Sequence, residues 1–213
     1  MKSYKRQAGF TLVEIAIVLV IIGLLLGAIL KGQELIDSSR TKNAINEVSS
    51  IKAAHYSYID RYKRLPGDDT PVTGRGGTWA TAADGNGNGV INATAADTFT
   101  GNNEVSTYFR QLRAAGFLTG NPADTGANAL PRNAFGGLTG VVYANVQGNP
   151  QPVLAVCQGN VPGKAAVAMD TQSDDGRPNG GTVRATQGAN NAAPAGAAGA
   201  YNEGQVYTVC TAI

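Results

Sequence analysis

The 213-residue sequence has one histidine, His55, and only two cysteines. It has no Gly-rich phosphate loop ahead of a helix, no zinc-ligand spacing and no G-x-S-x-G motif. Catalytic sites are normally recognised by several such groups placed within reach of one another. Because the sequence contains no such constellation, we predict that the protein is not an enzyme.

Positive charge is also scarce once the first nine residues are set aside. The chain has 17 Lys and Arg against 15 Asp and Glu, a formal net charge of +2. Lys2, Lys5 and Arg6 precede the first long apolar run, and without residues 1–9 the formal charge is −1, because 14 cations then face 15 acids. Nucleic-acid binding requires a basic excess that the remaining chain lacks, so we predict no nucleic-acid partner.

The longest apolar run lies near the N-terminus. From Phe10 to Leu30 the sequence reads FTLVEIAIVLVIIGLLLGAIL, 21 residues in which Glu14 is the only ionisable side chain. A helix of this length, at about 1.5 Å per residue, spans a hydrocarbon core of roughly 30 Å. The run is therefore predicted to cross the membrane. The basic residues before it should lie on the cytoplasmic side and the chain after Lys31 outside.

An ordinary signal peptide would have a small-residue cleavage site after its apolar run. Here Lys31, Gly32 and Gln33 follow the run directly, and no such site is found. We therefore expect the apolar helix to remain in the mature protein.

The residues around the start of the run form a specific motif. A short polar leader ends at Gly9, and the sequence from Gly9 to Glu14 is G-F-T-L-V-E. This segment closely resembles the class III leader of the type IV pilin and type II secretion pseudopilin family. The resemblance implies that prepilin peptidase cleaves between Gly9 and Phe10 and methylates the new amino group of Phe10.

Glu14 lies four residues inside the predicted membrane helix. On insertion scales a carboxylate within the bilayer costs about 2.5 to 3.5 kcal/mol, so a partner is expected. The resemblance implies that this partner is the new amino group of Phe10 on a neighbouring subunit, which would couple cleavage to assembly. The alternative is a lone carboxylate that reaches the cytoplasmic headgroups.

After the membrane run, apolar or aromatic residues recur at intervals of three and four up to Tyr62, with charged residues off this stripe. The pattern predicts one helix over residues 10–62, ended by the segment Leu65-Pro66-Gly67. His55 lies on the apolar stripe, so we expect it to pack against the head rather than to take part in chemistry.

The rest of the chain predicts a small mixed head. Helices are expected over residues 104–117 and 164–171, and strands over residues 140–146, 153–157 and 206–211, separated by Gly and Pro turns. The predicted fold class is α+β, with a long N-terminal helix packed on a small antiparallel β-sheet head and a loop-rich C-terminal region. The predicted divisions are a leader at residues 1–9, a helix at 10–62 with its transmembrane part at 10–30, and an extracytoplasmic head at 63–213.

Cys157 and Cys210 both lie in the last third of the chain. In an exported protein such a pair is expected to form a disulfide, and two separate buried thiols are the alternative. The bridge would close a loop of about 50 residues, for which chain-entropy models give a stabilisation of about 4 kcal/mol.

Residues 84–92, DGNGNGVIN, contain a candidate calcium loop. Asp84, Asn86, Asn88 and Asn92 occupy positions 1, 3, 5 and 9 of an EF-hand-like pattern, with glycine at position 6. Position 12 is Ala95, where that pattern has a bidentate glutamate. The acids that could replace it are Asp68, Asp69, Asp97 and Glu104. A calcium ion is therefore a candidate cofactor, and an Asn-Gly turn cluster is the alternative.

Together these features predict a pilin-like structural subunit of a type IV pilus or a type II secretion pseudopilus. It would reside in the bacterial inner membrane as a single-pass protein with its head in the periplasm, and would polymerise with copies or relatives of itself in a filament that can reach the cell surface. The alternative function is a membrane-anchored extracytoplasmic calcium-binding adhesion or sensor domain. Such a domain needs an apolar anchor but has no use for Gly9 or Glu14.

Overall fold

A computed structural model describes residues 9–213, so the predicted leader lies outside the described residues except for Gly9. The chain divides into two compact units between Ser39 and Arg40. Helix α1 runs from Leu12 to Tyr62. The predicted helix over residues 10–62 is therefore confirmed to within two residues.

The first unit contains the apolar part of α1. An 18-residue window of this helix has a mean hydropathy of 3.0, and none of the window is buried. Phe10 is 85% exposed and Leu12 90% exposed. By length and composition the helix is able to cross a membrane.

The second unit contains an antiparallel sheet of four strands, in the order β1-β2-β4-β3. The strands are β1 Thr139–Ala144, β2 Val153–Pro162, β3 Val183–Gln187 and β4 Val206–Ala212. Strands β1, β2 and β4 overlap the three predicted strands, and β3 was not predicted. The α+β class and the antiparallel sheet are confirmed.

Three helices cover one face of this sheet within the second unit. Besides the part of α1 after Arg40, they are α2, Glu104–Ala114, and α3, Gly163–Ser173. Ile51 of α1 and Phe109 of α2 belong to the same buried cluster as Val156 of β2. A second cluster joins α3 to β3 and β4.

The opposite face of the sheet carries the disulfide. Cys157 of β2 and Cys210 of β4 are register partners, and their sulfurs are bonded. Both belong to a buried cluster with Phe99 and Val142. The alternation of Val156 towards the helices and Cys157 away from them is the normal two-residue period of a strand. The predicted disulfide is confirmed.

A buried polar contact joins α1 to the sheet. The Thr139 hydroxyl donates to Glu47 Oε1 at 2.6 Å, and Gln158 Nε2 lies 3.2 Å from Glu47 Oε2. Gln158 Nε2 also donates to the backbone oxygen of Ala44 at 3.3 Å. Burial raises the pKa of the Glu47 carboxyl. These bonds fix the position of α1 along the sheet, which apolar contacts alone specify less sharply.

Loops cover both outer strands of the sheet. On β1, the amide of Tyr143 donates to the oxygen of Ala93 at 2.7 Å. On β3, Ala185 N donates to Pro178 O at 2.9 Å, and Ala185 O accepts from Ala198 N at 2.8 Å. Unpaired strand edges are templates for pairing with other chains, and these loops occupy backbone groups on both edges.

Candidate functional site

The start of α1 forms a reciprocal cap between Thr11 and Glu14. The backbone amide and the hydroxyl of Thr11 both donate to Glu14 Oε2, each at 2.8 Å, and Glu14 N donates to the Thr11 hydroxyl at 3.2 Å. This is a capping box, in which two residues three apart satisfy amides that the first helical turn leaves without partners. The sequence signal for it, T-x-x-E, was missed because Glu14 was considered as a partner for another subunit or for the headgroups and not as a cap of its own helix.

The capping box uses one of the two carboxylate oxygens. Glu14 Oε2 accepts both bonds from Thr11, whereas Oε1 accepts none from any residue that the structure describes. The amide of Phe10 is still part of the peptide bond to Gly9 in this uncleaved chain. Glu14 is therefore held in one orientation by its own chain, with one oxygen available to a cation.

In the candidate calcium loop, Asp84 is directed towards the segment that precedes the loop. Asp84 Oδ1 accepts from Val72 N at 2.6 Å and from Thr73 N at 3.2 Å. The backbone hydrogen bond from Val72 is the largest contribution that lowers the pKa of the Asp84 carboxyl. The first predicted ligand is thus engaged in a turn rather than with the asparagines of the loop.

Two carboxylates from outside the loop are directed at its backbone. Asp68 accepts from Asn88 N at 2.9 Å and from Gly89 N at 2.8 Å. Glu104, at the start of α2, accepts from Asn86 N at 3.0 Å and from Asn92 N at 2.7 Å. Both acids are among the four expected to compensate for the missing glutamate, and both side chains are buried.

The other two acids lie elsewhere. Asp69 accepts from the Tyr58 hydroxyl at 2.7 Å and forms an ion pair with Arg75 at 2.8 Å. Asp97 Oδ2 accepts from Asn103 Nδ2 at 2.8 Å and from Thr94. Neither side chain is directed at the loop. Both are hydrogen-bonded within the head, Asp69 through Oδ2 alone.

The side chain of Gln111 holds the loop region against α2. Its Oε1 accepts from Gly67 N at 2.7 Å, and its Nε2 donates to the oxygens of Asp69 and Ala83, each at 2.9 Å. Gly85 then passes so close to the backbone of residue 68 that a Cβ there would collide with it. The loop is consequently built into the head rather than appended to it.

A further acidic cluster was not anticipated from the sequence. Carboxylate oxygens of Asp170, Asp174 and Asp175 lie within 4.8 Å of one another at the end of α3. Burial raises the pKa of Asp170, which accepts from the Tyr201 hydroxyl at 2.7 Å. Asp174 accepts from the amides of residues 182 and 183. The bonds of Asp170 and Asp174 tie the end of α3 to the strands that follow it.

Comparisons with known proteins add to this picture. Residues 4–30 match the family model described as the prokaryotic N-terminal methylation motif. Two curated relatives, each named fimbrial protein and each from Pseudomonas aeruginosa, are 37% identical over 94 residues. The match covers 42% of this chain and 61% of each relative. No solved structure matches the chain.

An exposed apolar N-terminal helix joined in sequence to a disulfide-containing antiparallel head defines a pilin-like α+β architecture. The matched methylation motif and the two fimbrial relatives agree with the resemblance of residues 9–14 to the type IV pilin family.

Proposed function

We propose that the chain is a structural subunit of a type IV pilus or a type II secretion pseudopilus, polymerised through α1. Prepilin peptidase would cleave between Gly9 and Phe10 and methylate Phe10. The single observation that carries this proposal is the carboxylate of Glu14 at the start of an exposed apolar helix, within a matched methylation motif. Such a helix is stable only in lipid or among other apolar helices.

The ion pair between Glu14 and the amino group of Phe10 would form only after cleavage. Before cleavage Glu14 Oε2 is held by Thr11, and the Phe10 nitrogen is an uncharged amide. Cleavage would produce an ammonium at Phe10. Oε1 of Glu14 on a neighbouring subunit would accept a hydrogen bond from this ammonium and form an ion pair with it. An ion pair within apolar surroundings is favoured over an unpaired buried carboxylate, because the attraction between the two charges offsets part of the cost of burying them.

The orientation of the chain across the membrane would follow from its basic residues. The cations at positions 2, 5 and 6 would remain in the cytoplasm until cleavage, and the head would occupy the periplasm. Partners would be prepilin peptidase and other pilin or pseudopilin subunits. The competing assignment, an adhesion or sensor domain on a simple anchor, predicts a chain that stays uncleaved and monomeric.

The test compares Glu14→Gln with Glu34→Gln, a matched substitution at an exposed glutamate farther along α1. Glu14→Gln should be cleaved normally, with a mature N-terminus at Phe10 by mass spectrometry, but should be depleted from sheared filaments by tenfold or more. Glu34→Gln should assemble like the wild type. Equal incorporation of both variants would remove the ion pair from the mechanism, and a wild-type chain that is never cleaved would overturn the proposal as a whole.

We propose in addition that the loop at residues 84–92 binds Ca²⁺. The support is the convergence of Asp68 and Glu104 on a loop with three asparagine side chains, since Ca²⁺ prefers carboxylate and amide oxygens. Asp68 and Glu104 would supply the charge, and Asn86 and Asn88 the neutral oxygens. The ion would link the loop to the start of α2.

The calcium proposal is tested by the melting temperature of the detergent-solubilised full chain in Ca²⁺, Mg²⁺ or chelator. Calcium should raise the melting temperature of the wild type, and Asp68→Asn should abolish the response to calcium whatever its starting stability. Asp124→Asn, at a half-buried acid outside the loop, should keep the full response. If chelator leaves the wild-type melting temperature unchanged, the calcium proposal is wrong, and the loop is held by the hydrogen bonds from its amides to Asp68 and Glu104.

A further inference from the structure

A cavity in the second unit is bounded by α1, α3 and the β3–β4 side of the sheet. Its volume is about 120 Å³. The buried part of its lining is apolar and comes from Val48, Met169 and Val183. The exposed part is polar and includes Ser49, Ser173 and Thr182.

Lys52 is the only charged residue that lines this cavity. Its side chain is half-buried, and burial lowers the pKa of its ammonium group. Among the described residues no carboxylate forms an ion pair with it, unlike Lys31 with Glu34 and Lys63 with Asp60. An anion placed beside a partly desolvated cation is favoured, because it offsets the cost of the desolvation.

Hydroxyl groups around Lys52 are also available as donors. Ser173, Thr182 and Thr211 line the cavity, and within residues 9–213 their hydroxyls form no hydrogen bond. The fourth hydroxyl, of Ser49, donates to the backbone oxygen of Ile45 at 3.1 Å. One cation and three free hydroxyls therefore surround a space whose inner wall is apolar.

We propose that this cavity binds a carboxylate on a short aliphatic stem. Lys52 would be its counter-ion, the free hydroxyls would donate to its oxygens, and the stem would pack on Val48, Met169 and Val183. The apolar wall favours such a ligand over an inorganic anion, because phosphate or sulfate would leave that wall without a partner. The site is partly desolvated, and a carboxylate there forms a charge-assisted hydrogen bond with Lys52. This bond is stronger than the hydrogen bonds to water that it replaces.

A carboxylate on a short aliphatic stem would come from one of two sources. One is a small free aliphatic acid, and the other is an Asp or Glu side chain of a second copy of the chain in a filament. The second source rests on the proposed polymerisation, whereas the first does not.

For the free acid, the detergent-solubilised full chain is titrated with butyrate at constant ionic strength, and the melting temperature is recorded. We expect a saturable rise with butyrate and none with butyramide, which has the same stem without the charge. Lys52→Met should lose the response, Lys52→Arg should retain it, and Lys42→Met, at an exposed lysine of the same helix, should respond like the wild type.

For the second copy, assembled filaments are treated with a zero-length carbodiimide, which joins an amine to a carboxylate in contact with it. A peptide that links Lys52 to an acidic residue of another copy assigns the site to that copy. A butyrate response without this link assigns it to a free acid. If butyrate has no effect and Lys52 is not cross-linked, or if Lys52→Met still responds to butyrate, the proposal is overturned. The butyrate titration needs no filament, so its result stands even if the chain does not polymerise.

Discussion

His55 and Tyr108 stack in the interior of the head, with ring centroids 5.8 Å apart and the Tyr108 hydroxyl 3.2 Å from His55 Nδ1. One residue belongs to α1 and the other to α2, so the pair ties the two helices together. Burial lowers the pKa of His55 to about 4. The only histidine of the chain is thus neutral at pH 7 in the folded head, where it packs as its place on the apolar stripe of α1 predicted.

The neutral state of His55 makes the stability of the head dependent on pH. In the unfolded chain the pKa is near 6.5, so between pH 6.5 and about 4 the unfolded chain binds a proton that the folded chain does not. Stability should therefore fall as the pH is lowered through this window, by roughly 3 kcal/mol at most. Glu47, whose pKa is raised, acts in the opposite direction.

Denaturant unfolding of the wild type and of His55→Phe at pH 7 and pH 4 isolates the histidine, because both chains keep Glu47. His55→Phe should lose less stability than the wild type on acidification. Parallel losses in the two chains would show that His55 does not contribute to the acid sensitivity.

Thr11 should affect assembly through its hydroxyl. Thr11→Val keeps the size of the side chain but removes the hydroxyl that donates to Glu14 Oε2 and accepts from Glu14 N, a cap worth about 1 kcal/mol. Incorporation into filaments should fall for Thr11→Val and be preserved for Thr11→Ser. Quantification of both variants in sheared filaments tests this, and equal loss for the two would point to side-chain shape instead.

Gln111 should be the most sensitive polar position of the head. Gln111→Leu leaves the amide of Gly67 and the oxygens of Asp69 and Ala83 without the bonds that Gln111 provides, and a single unsatisfied buried group costs about 1 to 3 kcal/mol. A loss of about 3 kcal/mol or more is expected in chemical denaturation. Gln172→Leu, at an exposed position of α3, is the control and should change stability by about 0.5 kcal/mol or less.

Reduction of the disulfide should destabilise the head without changing the sheet order. Cys157 and Cys210 are 53 residues apart, and closing such a loop stabilises a fold by about 4 kcal/mol in chain-entropy models. The melting temperature should drop in reductant, and the double substitution Cys157→Ser, Cys210→Ser should reproduce the drop and be insensitive to reductant. A wild-type melting temperature that reductant leaves unchanged would contradict this estimate.

The sequence predicted best where a pattern is repeated over many residues. The helix from Leu12 to Tyr62 was predicted because a long apolar run is followed by an apolar stripe with intervals of three and four. The disulfide was predicted because an exported chain with two cysteines is expected to pair them. Strand β3 was missed because its five residues are flanked by glycines and alternate only weakly. Residues 188–199 lie in the predicted loop-rich C-terminal region and form no helix or strand, but Ala198 N donates to Ala185 O at the edge of β3.

The polar contacts were harder to predict because their partners are distant in sequence. Glu47 is one of the charged residues off the apolar stripe of α1, and nothing in that pattern indicates its contact with Thr139, 92 residues away. Lys52 also lies off the stripe, yet it lines a cavity. Because the loop pattern lacks its glutamate, four acids were candidates to replace it. The fold shows that Asp68 and Glu104 bond to the backbone of the loop, which the sequence could not show.

The loops over β1 and β3 bear on what happens when many heads are crowded together. In the proposed filament each sheet would be held at high local concentration beside identical sheets, a condition that favours amyloid-like merging of strands. With Tyr143 and Ala185 already bonded within their own chain, a neighbour finds fewer backbone groups to join. In the proposed filament, subunits would then meet through side chains and helices, and each sheet would remain the property of one chain.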